Sequence, residues 1–443
     1  MDRPNLLLIV VDTLRADHLS CYGYVRKTSP NIDKLAEESV VFKSAYALGI
    51  PTHPSFTTIL TGLHPLRHRV VSHMGTSKLS PDILMVQELL RANGYVTGAV
   101  DNMLLKYGSF YDWFSRGFNV YSHPGAVPVD YAGMKVQAAN VTERALRVLE
   151  ELRGKEKPFF LFLHYWDPHS PYVPPQPYDS LFWEEEPPAH DIDYHDSKIE
   201  PLITSSPVVF DYLVSQYDGE ISYVDDQIGK LSSYMKEERL MDGTAVFITA
   251  DHGEDLMQHG FLKHYSLYET VVHVPLILRL PESSRRGIVE DQVAQTGIAA
   301  TIYELAKVDA GRSIDGSSLM PGSVGEREGY NDAVIIENTH QKAAAIKSKE
   351  WKLICYLEES SKGYTPGYVQ LFNVSKDPYE SVNLANHELG LVKELEGKLK
   401  IYTEMILEGR PNPLDQPKSK LRVKFYSQAR DIVEQHGLTL RDY

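Results

Sequence analysis

Five short apolar runs, at residues 6–11, 95–100, 158–164, 244–249 and 275–280, are rich in Val, Ile, Leu and Phe. Runs of that length and texture read as strands buried on both faces. Stretches of helical periodicity separate them, at 80–93, 133–153, 208–236 and 295–306. The alternation is the signal for an α/β fold with a mostly parallel central sheet sandwiched by helices. Ser29-Pro30 supplies an N-cap and a first-turn proline for a further helix from Asn31 to Glu38. Sheets of this kind bind ligands beyond the carboxyl ends of their strands. Asp12 stands there, closing the run Leu6 to Val11, and so does Asp251, which closes Thr244 to Ala250 and is followed by His252 and Gly253. Between them in sequence, Pro51-Thr52-His53-Pro54-Ser55 opens a helix with a hydroxyl-bearing turn. Singly, a strand-end aspartate reads as a turn residue and Thr52 as a helix cap. Together, two hard ligands and a hydroxyl at a helix start point to a divalent-metal site serving a nucleophilic enzyme.

The texture changes after residue 310. Segments 333–337, 343–347, 351–356 and 368–372 read as short antiparallel strands, and a helix over about 383–407 follows. The expected organisation is a catalytic α/β domain at 1–320, a smaller C-terminal α+β subdomain with a short antiparallel sheet at 321–408, and an extension at 409–443. That extension carries Lys418, Lys420, Arg422 and Lys424, a basic run that reads first as a solvated face. Residues 174–206 form a polar, proline-rich excursion, either a surface loop or a specificity lid. The aromatic run at 107–121 reads as core before substrate platform.

Composition narrows the partners. The 443 residues carry a formal charge of −15, which argues against a nucleic-acid face but not against one small anion beside a bound cation. No segment approaches the roughly 20 apolar residues of a membrane span. The start, Met1-Asp-Arg-Pro-Asn, lacks the parts of a signal peptide, and Cys21 and Cys355 give no disulfide framework. A cytoplasmic location is therefore expected. The expected partner is a small anionic ester, with a homo-oligomer left open.

Several motifs in order now carry a resemblance. Val10-Val-Asp-Thr-Leu-Arg-Ala-Asp-His-Leu-Ser-Cys-Tyr-Gly23 resembles the opening segment of the sulfatase family of the alkaline-phosphatase superfamily. Thr52-His-Pro-Ser-Phe56, with Leu60-Thr-Gly62 and Pro65, resembles the sulfatase nucleophile helix, where Cys-x-Pro-Ser-Arg precedes Leu-Thr-Gly. Phe159-Phe-Leu-Phe-Leu-His-Tyr-Trp-Asp-Pro-His-Ser-Pro-Tyr172 is similar to the strand and turn that supply a substrate-facing histidine, here His169. Ala250-Asp-His-Gly-Glu254, His259-Gly260, Tyr268-Glu269 and Val274-Pro-Leu-Ile277 resemble the second metal-ligand segment. Asp315-Gly-Ser-Ser-Leu319 and Asp377-Pro-Tyr-Glu-Ser-Val-Asn-Leu384 have late counterparts, so the resemblance spans about residues 4 to 407.

Five departures fall on sulfate-handling positions. Thr52 replaces the Cys or Ser that becomes formylglycine, and Phe56 replaces the arginine after it. Thr13 replaces the second aspartate of the opening pair, Asn102 and Leu104 replace a Lys-x-His, and His264 replaces a later lysine, with Lys263 adjacent. A threonine nucleophile with one metal resembles instead the phosphoglycerol and phosphoethanolamine transferases of the superfamily. That resemblance implies the ligands Asp12, Thr52, Asp251 and His252. A mixed carboxylate and imidazole set suits Mn²⁺ or Zn²⁺ better than Ca²⁺. A second ion would draw on Asp167, His169 and His264, supported by His164 or His259. His169 and His264 are the candidates for stabilising charge and protonating the leaving group, and His169, Asn102 and Lys263 for contacting substrate. Arg15 and Asp17 read as a structural ion pair. The leading expectation is a metal-dependent hydrolase using Thr52 on a phosphodiester, phosphonate or phosphomonoester. The rivals are a sulfatase working without formylglycine, a phosphotransferase to a soluble alcohol, and a catalytically silent binding protein.

Overall fold

The computed structural model describes residues 3–73, 77–103, 113–125, 127–129, 133–188, 206–281, 285–320 and 332–415. The elements that build its two main sheets are, in chain order, β1 (Asn5–Val11), α1 (Pro30–Glu37), β2 (Val40–Tyr46), β3 (Gly49–Ile50), α2 (Thr52–Thr61), α3 (Val86–Ala92), β4 (Val96–Val100) and β5 (Val120–Ser122). Then come α4 (Ala138–Arg153), β6 (Phe159–Tyr165), α5 (Pro207–Glu237), β7 (Thr244–Ala250), β8 (His273–Arg279), β9 (Gly287–Ala294) and α6 (Thr296–Ala306). The last are β10 (Ala333–Glu337), β11 (Ala343–Lys347), β12 (Trp351–Tyr356), β13 (Val369–Asn373) and α7 (Leu389–Leu407).

The large sheet runs β9-β2-β8-β7-β1-β6-β4-β5. All neighbours are parallel except β8, which is antiparallel to both β2 and β7. The continuous apolar strands β1, β6 and β7 sit at the centre, buried along their length but for the first residue of β1, because helices cover both faces. Helices α1, α4 and α5 pack as one group and α2, α3 and α6 as another. Every described parallel strand of the centre therefore opens at one edge, and Asp12, Asp101 and Asp251 each follow a strand directly there.

The sequence expectations hold for the central strands and need correction at the margins. Residues 133–135 are extended rather than helical, and α4 starts only at Ala138, whose N–H is accepted by Asp167 at 2.7 Å. The helix expected from 80 starts at Val86, and that expected from 383 starts at Leu389. The N-cap of α1 comes from a distant residue. Asp225 accepts the N–H groups of Asn31 and Ile32, while Ser29 donates its hydroxyl to Asp33. Strand β8 is antiparallel, which the periodicity of 275–280 does not reveal. Strands β2 and β9 escape sequence reading because Lys43-Ser44 and Glu290-Asp291 interrupt them.

The smaller sheet runs β13-β12-β11-β10-β3. Its four late strands are those the sequence signals, but its fifth is borrowed from residues 49–50, parallel to β10 with Ile50 opposite Glu337. The two sheets share one core, since Ile335, Ala345, Ile354 and Phe372 belong to the main apolar cluster, and a smaller cluster lies under α7. Among the described residues no helix is long and apolar enough to cross a membrane. Residues 189–205 of the proline-rich excursion, Leu104, 107–112 of the aromatic run, and the basic run with the rest of 416–443 lie outside the described residues.

Candidate active site

Asp12, Asp251 and His252 come together at the carboxyl edge, with one ligand atom from each within 4.8 Å of the others. All three are fully buried. Each carboxylate has one oxygen held and the other bare. Oδ1 of Asp251 accepts the N–H of Thr13 at 3.1 Å and of His252 at 2.8 Å, and Oδ2 of Asp12 lies 3.4 Å from Nε2 of His164. Oδ1 of Asp12 and Oδ2 of Asp251 are buried without a hydrogen-bond partner. These two buried carboxylate oxygens, the Asp251 one 3.2 Å from Nε2 of His252, fit a divalent cation, because an uncompensated pair of buried charges is costly. His252 is set for the same role. Its Nδ1 lies 2.9 Å from the Gly253 carbonyl, which leaves the lone pair of Nε2 facing Asp251 at 3.2 Å. Gly253 is required here, since a Cβ would fall 2.1 Å from the Thr270 carbonyl oxygen.

Thr52 is the first residue of α2, and its hydroxyl lies 3.4 Å from Nε2 of His252. The helix is stitched to the end of β7. The Ser55 hydroxyl donates to the Asp251 carbonyl at 2.6 Å, and the Gln295 amide donates to the carbonyls of Ala250 and Asp251 at 2.8 and 2.7 Å. The helix N-terminus offers unpaired N–H groups and a favourable potential for an anion. Thr13, in the place of the second opening acid, contributes through its backbone: it holds a left-handed φ of 57° that turns its N–H onto Asp251. A β-branched residue pays for that conformation with strain.

His169 and His264 face the same space, with ring centroids 5.3 Å apart, and His264 lies 4.6 Å from the His252 ring. Nδ1 of His264 lies 3.1 Å from Glu254, and Nδ1 of His169 lies 2.6 Å from the Ser170 carbonyl. Lys263 precedes His264 in a short two-stranded hairpin, and its charge acts on Glu254. Asn102 is buried beside Asp101, its Oδ1 without a hydrogen-bond partner.

Asp167, expected as a candidate ligand of a second ion, is engaged by other groups. One of its oxygens takes the Ala138 N–H and the other lies 2.9 Å from Nζ of Lys135, which also pairs with Glu220. The carboxylate is thus spent on a buried ion cluster and the start of α4. Among the described residues, Asp12, Asp251 and His252 are the one group at ligand spacing, so Asp167, His169 and His264 do not assemble a second. His259 lies against Asp255 and the Tyr379 carbonyl, and His164 is held between two carboxylates. Arg15 and Asp17 form the ion pair read from sequence, at 2.7 Å.

Sequence reading missed Asp101, although it closes an apolar run just as Asp12 and Asp251 do. It also missed the stacked rings of His53 and His73, at 4.1 Å, and the turn at 338–341. In that turn Glu337 accepts three backbone N–H groups, and Thr339 accepts the N–H of His73 at 2.8 Å.

Electrostatics follow from burial and crowding. Burial and the neighbouring Asp12 push Asp251 up to about 7, against the pull of His252 and His164. Burial also acts upward on Asp12, but the His164 hydrogen bond and the charges of His169, His164 and His252 hold it below the usual range. Burial would lower His164, yet hydrogen bonds to Asp101 and Asp12 bring it up to about 10. Burial, then His252 and His169, drive His264 well below the ordinary imidazole value, and burial drives Glu254 well above the carboxylate range.

Comparison with known proteins places this geometry. The sulfatase family model matches residues 4–308, and the model for the C-terminal part of N-sulphoglucosamine sulphohydrolase matches 257–404. The chain is 29% identical over 332 residues to iduronate 2-sulfatase of Mus musculus, covering 63% of this chain and 60% of that protein's length. It is 26% identical over 481 residues to the multifunctional alkaline phosphatase superfamily protein PehA of Trinickia caryophylli, covering 87% of this chain and 92% of the other. The phosphonate monoester hydrolase of Agrobacterium radiobacter shares the fold, with a TM-score of 0.73 at 21% identity over 91% of this chain and 96% of that one.

Proposed function

Since the chain belongs to the sulfatase family, we propose that it is a divalent-metal-dependent ester hydrolase that attacks a small phosphate ester with the Thr52 hydroxyl. The observation that carries this reading is an unmodified threonine at a helix N-terminus, beside two bare carboxylate oxygens and a lone pair on His252. A phosphodiester, phosphonate or phosphomonoester meets the requirement. Asp12, Thr52, Asp251 and His252 would hold the cation. Their oxygen and nitrogen donors favour Mn²⁺ or Zn²⁺ over Ca²⁺. When bound, it lowers the pKa of a coordinated hydroxyl and neutralises charge on a transferring phosphoryl group.

The chain's own residues supply the remaining work. The N-terminus of α2 orients the anionic oxygens. The Thr52 Oγ bonds to phosphorus as the bond from phosphorus to the leaving oxygen breaks. The proton that the Thr52 hydroxyl gives up is taken by the neutral imidazole of His264, or by His169 across the same space, and passed to that oxygen. Water then displaces the threonine from phosphorus, its proton restoring the hydroxyl, and phosphate, a phosphate monoester or a phosphonate is released according to the substrate.

The test is a panel of aryl phosphate, phosphonate and sulfate esters with added Mn²⁺ or Zn²⁺, on the wild type and Thr52→Ala. Phosphorus esters should turn over faster and depend on Thr52. Sulfate turnover that exceeds phosphate turnover and survives Thr52→Ala would overturn the reading. Sulfate ester hydrolysis is the second reading, favoured by the iduronate 2-sulfatase match. It would require release from a sulfo-threonine, without the elimination open to an aldehyde hydrate.

A further inference from the structure

A chain of side chains crosses four neighbouring strand ends at the carboxyl edge. The Tyr121 hydroxyl, on β5, donates to Asp101, which directly follows β4. The other oxygen of Asp101 lies 2.6 Å from Nδ1 of His164, on β6. Nε2 of His164 lies 3.4 Å from Oδ2 of Asp12, which directly follows β1. Asp101, His164 and Asp12 are 2%, 2% and 0% exposed, so water does not compete for the two contacts of the His164 imidazole. The ring is also held in place sideways, because Phe56 packs on it with centroids 4.7 Å apart.

Both ring nitrogens of His164 are thereby engaged by carboxylates, and it has no lone pair directed at a cation. Its effect falls on Asp12. With Oδ2 committed to the imidazole, Oδ1 alone is left without a hydrogen-bond partner, in the residue that groups with Asp251 and His252 at ligand spacing. We propose that Asp101 and His164 are positioning residues that act in series to fix the Asp12 carboxylate in a one-oxygen orientation for cation binding. The proposal rests on reading Asp12 as a ligand. Partners of this kind, one bond removed from the ion, typically contribute 10–100-fold to metal affinity.

The experiment titrates the full-length, chelator-stripped protein with Mn²⁺ and with Zn²⁺, in the wild type, Asp101→Asn, His164→Gln and the double variant. His18→Gln is the control. His18 forms an equally buried pair with Asp218, at 2.7 Å, but it touches no candidate ligand. Each single variant should bind the cation roughly 10–100-fold more weakly. The double variant should be no weaker than the worse single, as expected for residues in series. The His18→Gln control should lower the melting temperature yet keep wild-type metal affinity. Affinity within about twofold of wild type for folded Asp101→Asn and His164→Gln would overturn the positioning role while leaving the ligand reading intact, and so would additive losses in the double variant. A wild type that binds neither ion would overturn both. Equal losses in His18→Gln would reduce the effect to general destabilisation and overturn the proposal.

Discussion

Replacing Asp167 by Asn distinguishes a structural carboxylate from a second metal ligand. Asp167 is fully buried, with Lys135 at 2.9 Å on one oxygen and the Ala138 N–H at 2.7 Å on the other. An asparagine can still accept the Ala138 N–H, but its NH₂ then faces the Lys135 ammonium, donor against donor. Breaking one arm of a buried ion cluster costs about 3–5 kcal/mol, and Lys135 retains Glu220, so the lower end, about 3 kcal/mol, is expected. Unfolding entropy of about 2.1 cal/mol/K per residue over 443 residues gives about 0.9 kcal/mol/K, hence a fall in melting temperature of about 3 °C. Lys135→Met should cost more, about 5 kcal/mol, because it leaves the buried Asp167 carboxylate without its cation and the Glu220 carboxyl without its donor. The cluster also sets a pH trend. Burial, opposed by Lys135 and aided by Asp167, pushes Glu220 up to about 8 when folded, against 4.5 as a free group. Between those values the folded chain keeps a proton that the unfolded chain has released. The contribution is complete below about pH 4.5 and is lost as the pH rises through about 8. Calorimetry and elemental analysis on the same sample decide the matter. The expected result is a melting point lowered by about 3 °C with metal per chain unchanged. One metal fewer per chain, with melting moved by less than about 1 °C, would refute the structural assignment.

Thr52→Ala should lower kcat by at least about 10³-fold and abolish any trapped phospho-threonine, while Thr52→Ser retains most activity; peptide mapping after a rapid quench reads the intermediate. Metal affinity should rise with pH up to about 7 and level off above it, because the cation must displace the proton that Asp251 holds in the metal-free state beside Asp12, His252 and His164. A titration series from pH 5.5 to 8.5 that showed no slope below 7 would contradict this. His264→Asn should slow esters with poor leaving groups by about 10²-fold and barely touch those with good ones, as read from kcat across a series of substituted phenols. Aryl phosphate diesters should be preferred over monoesters by kcat/KM. The imidazole of His264 is held uncharged where the resembling motif carries a lysine, so the site offers less positive charge for a doubly ionised substrate. A monoester preference would count against that charge assignment.

What was legible in the sequence was what local pattern encodes. The runs at 6–11 and 244–249 are apolar throughout because helices cover both faces of β1 and β7, and the acids that close them sit where the sheet opens. Thr52 was legible because Ser55 and Pro54 mark the start of α2. The margins were not. Strand β3 is two residues long and pairs with a strand nearly 290 positions away in the chain (Ile50 with Glu337), and no local period reports such a pairing. Asp167 followed an apolar run as Asp12 did, yet its partner Lys135 lies on a different element. A cap, a ligand and a salt-bridge partner share one residue type, and only the contact tells them apart. Asp101 carries the same strand-end signal, but the resembling motif falls on its neighbours Asn102 and Leu104, and only the contact with His164 sets Asp101 apart.

The departures from the sulfatase pattern are matched by contacts, and that bears on whether the site is active or retired. Phe56 removes an arginine, and its ring is packed between Phe114, Phe162 and His164, the last of which is held against Asp12. Thr13 removes a carboxylate, and its backbone N–H is turned onto Asp251 instead. His264 removes a lysine, and its ring is held by Glu254, a fully buried acid. In a site drifting after loss of function, two buried carboxylate oxygens without hydrogen-bond partners would be relieved first, since they cost stability when no cation is bound. Their retention favours a working metal centre over a silent binding protein. Elemental analysis after metal-supplemented expression checks the inference. About one Mn²⁺ or Zn²⁺ per chain is expected, and less than about half an ion would favour the silent protein, because retained, unrelieved ligands would then have no occupant.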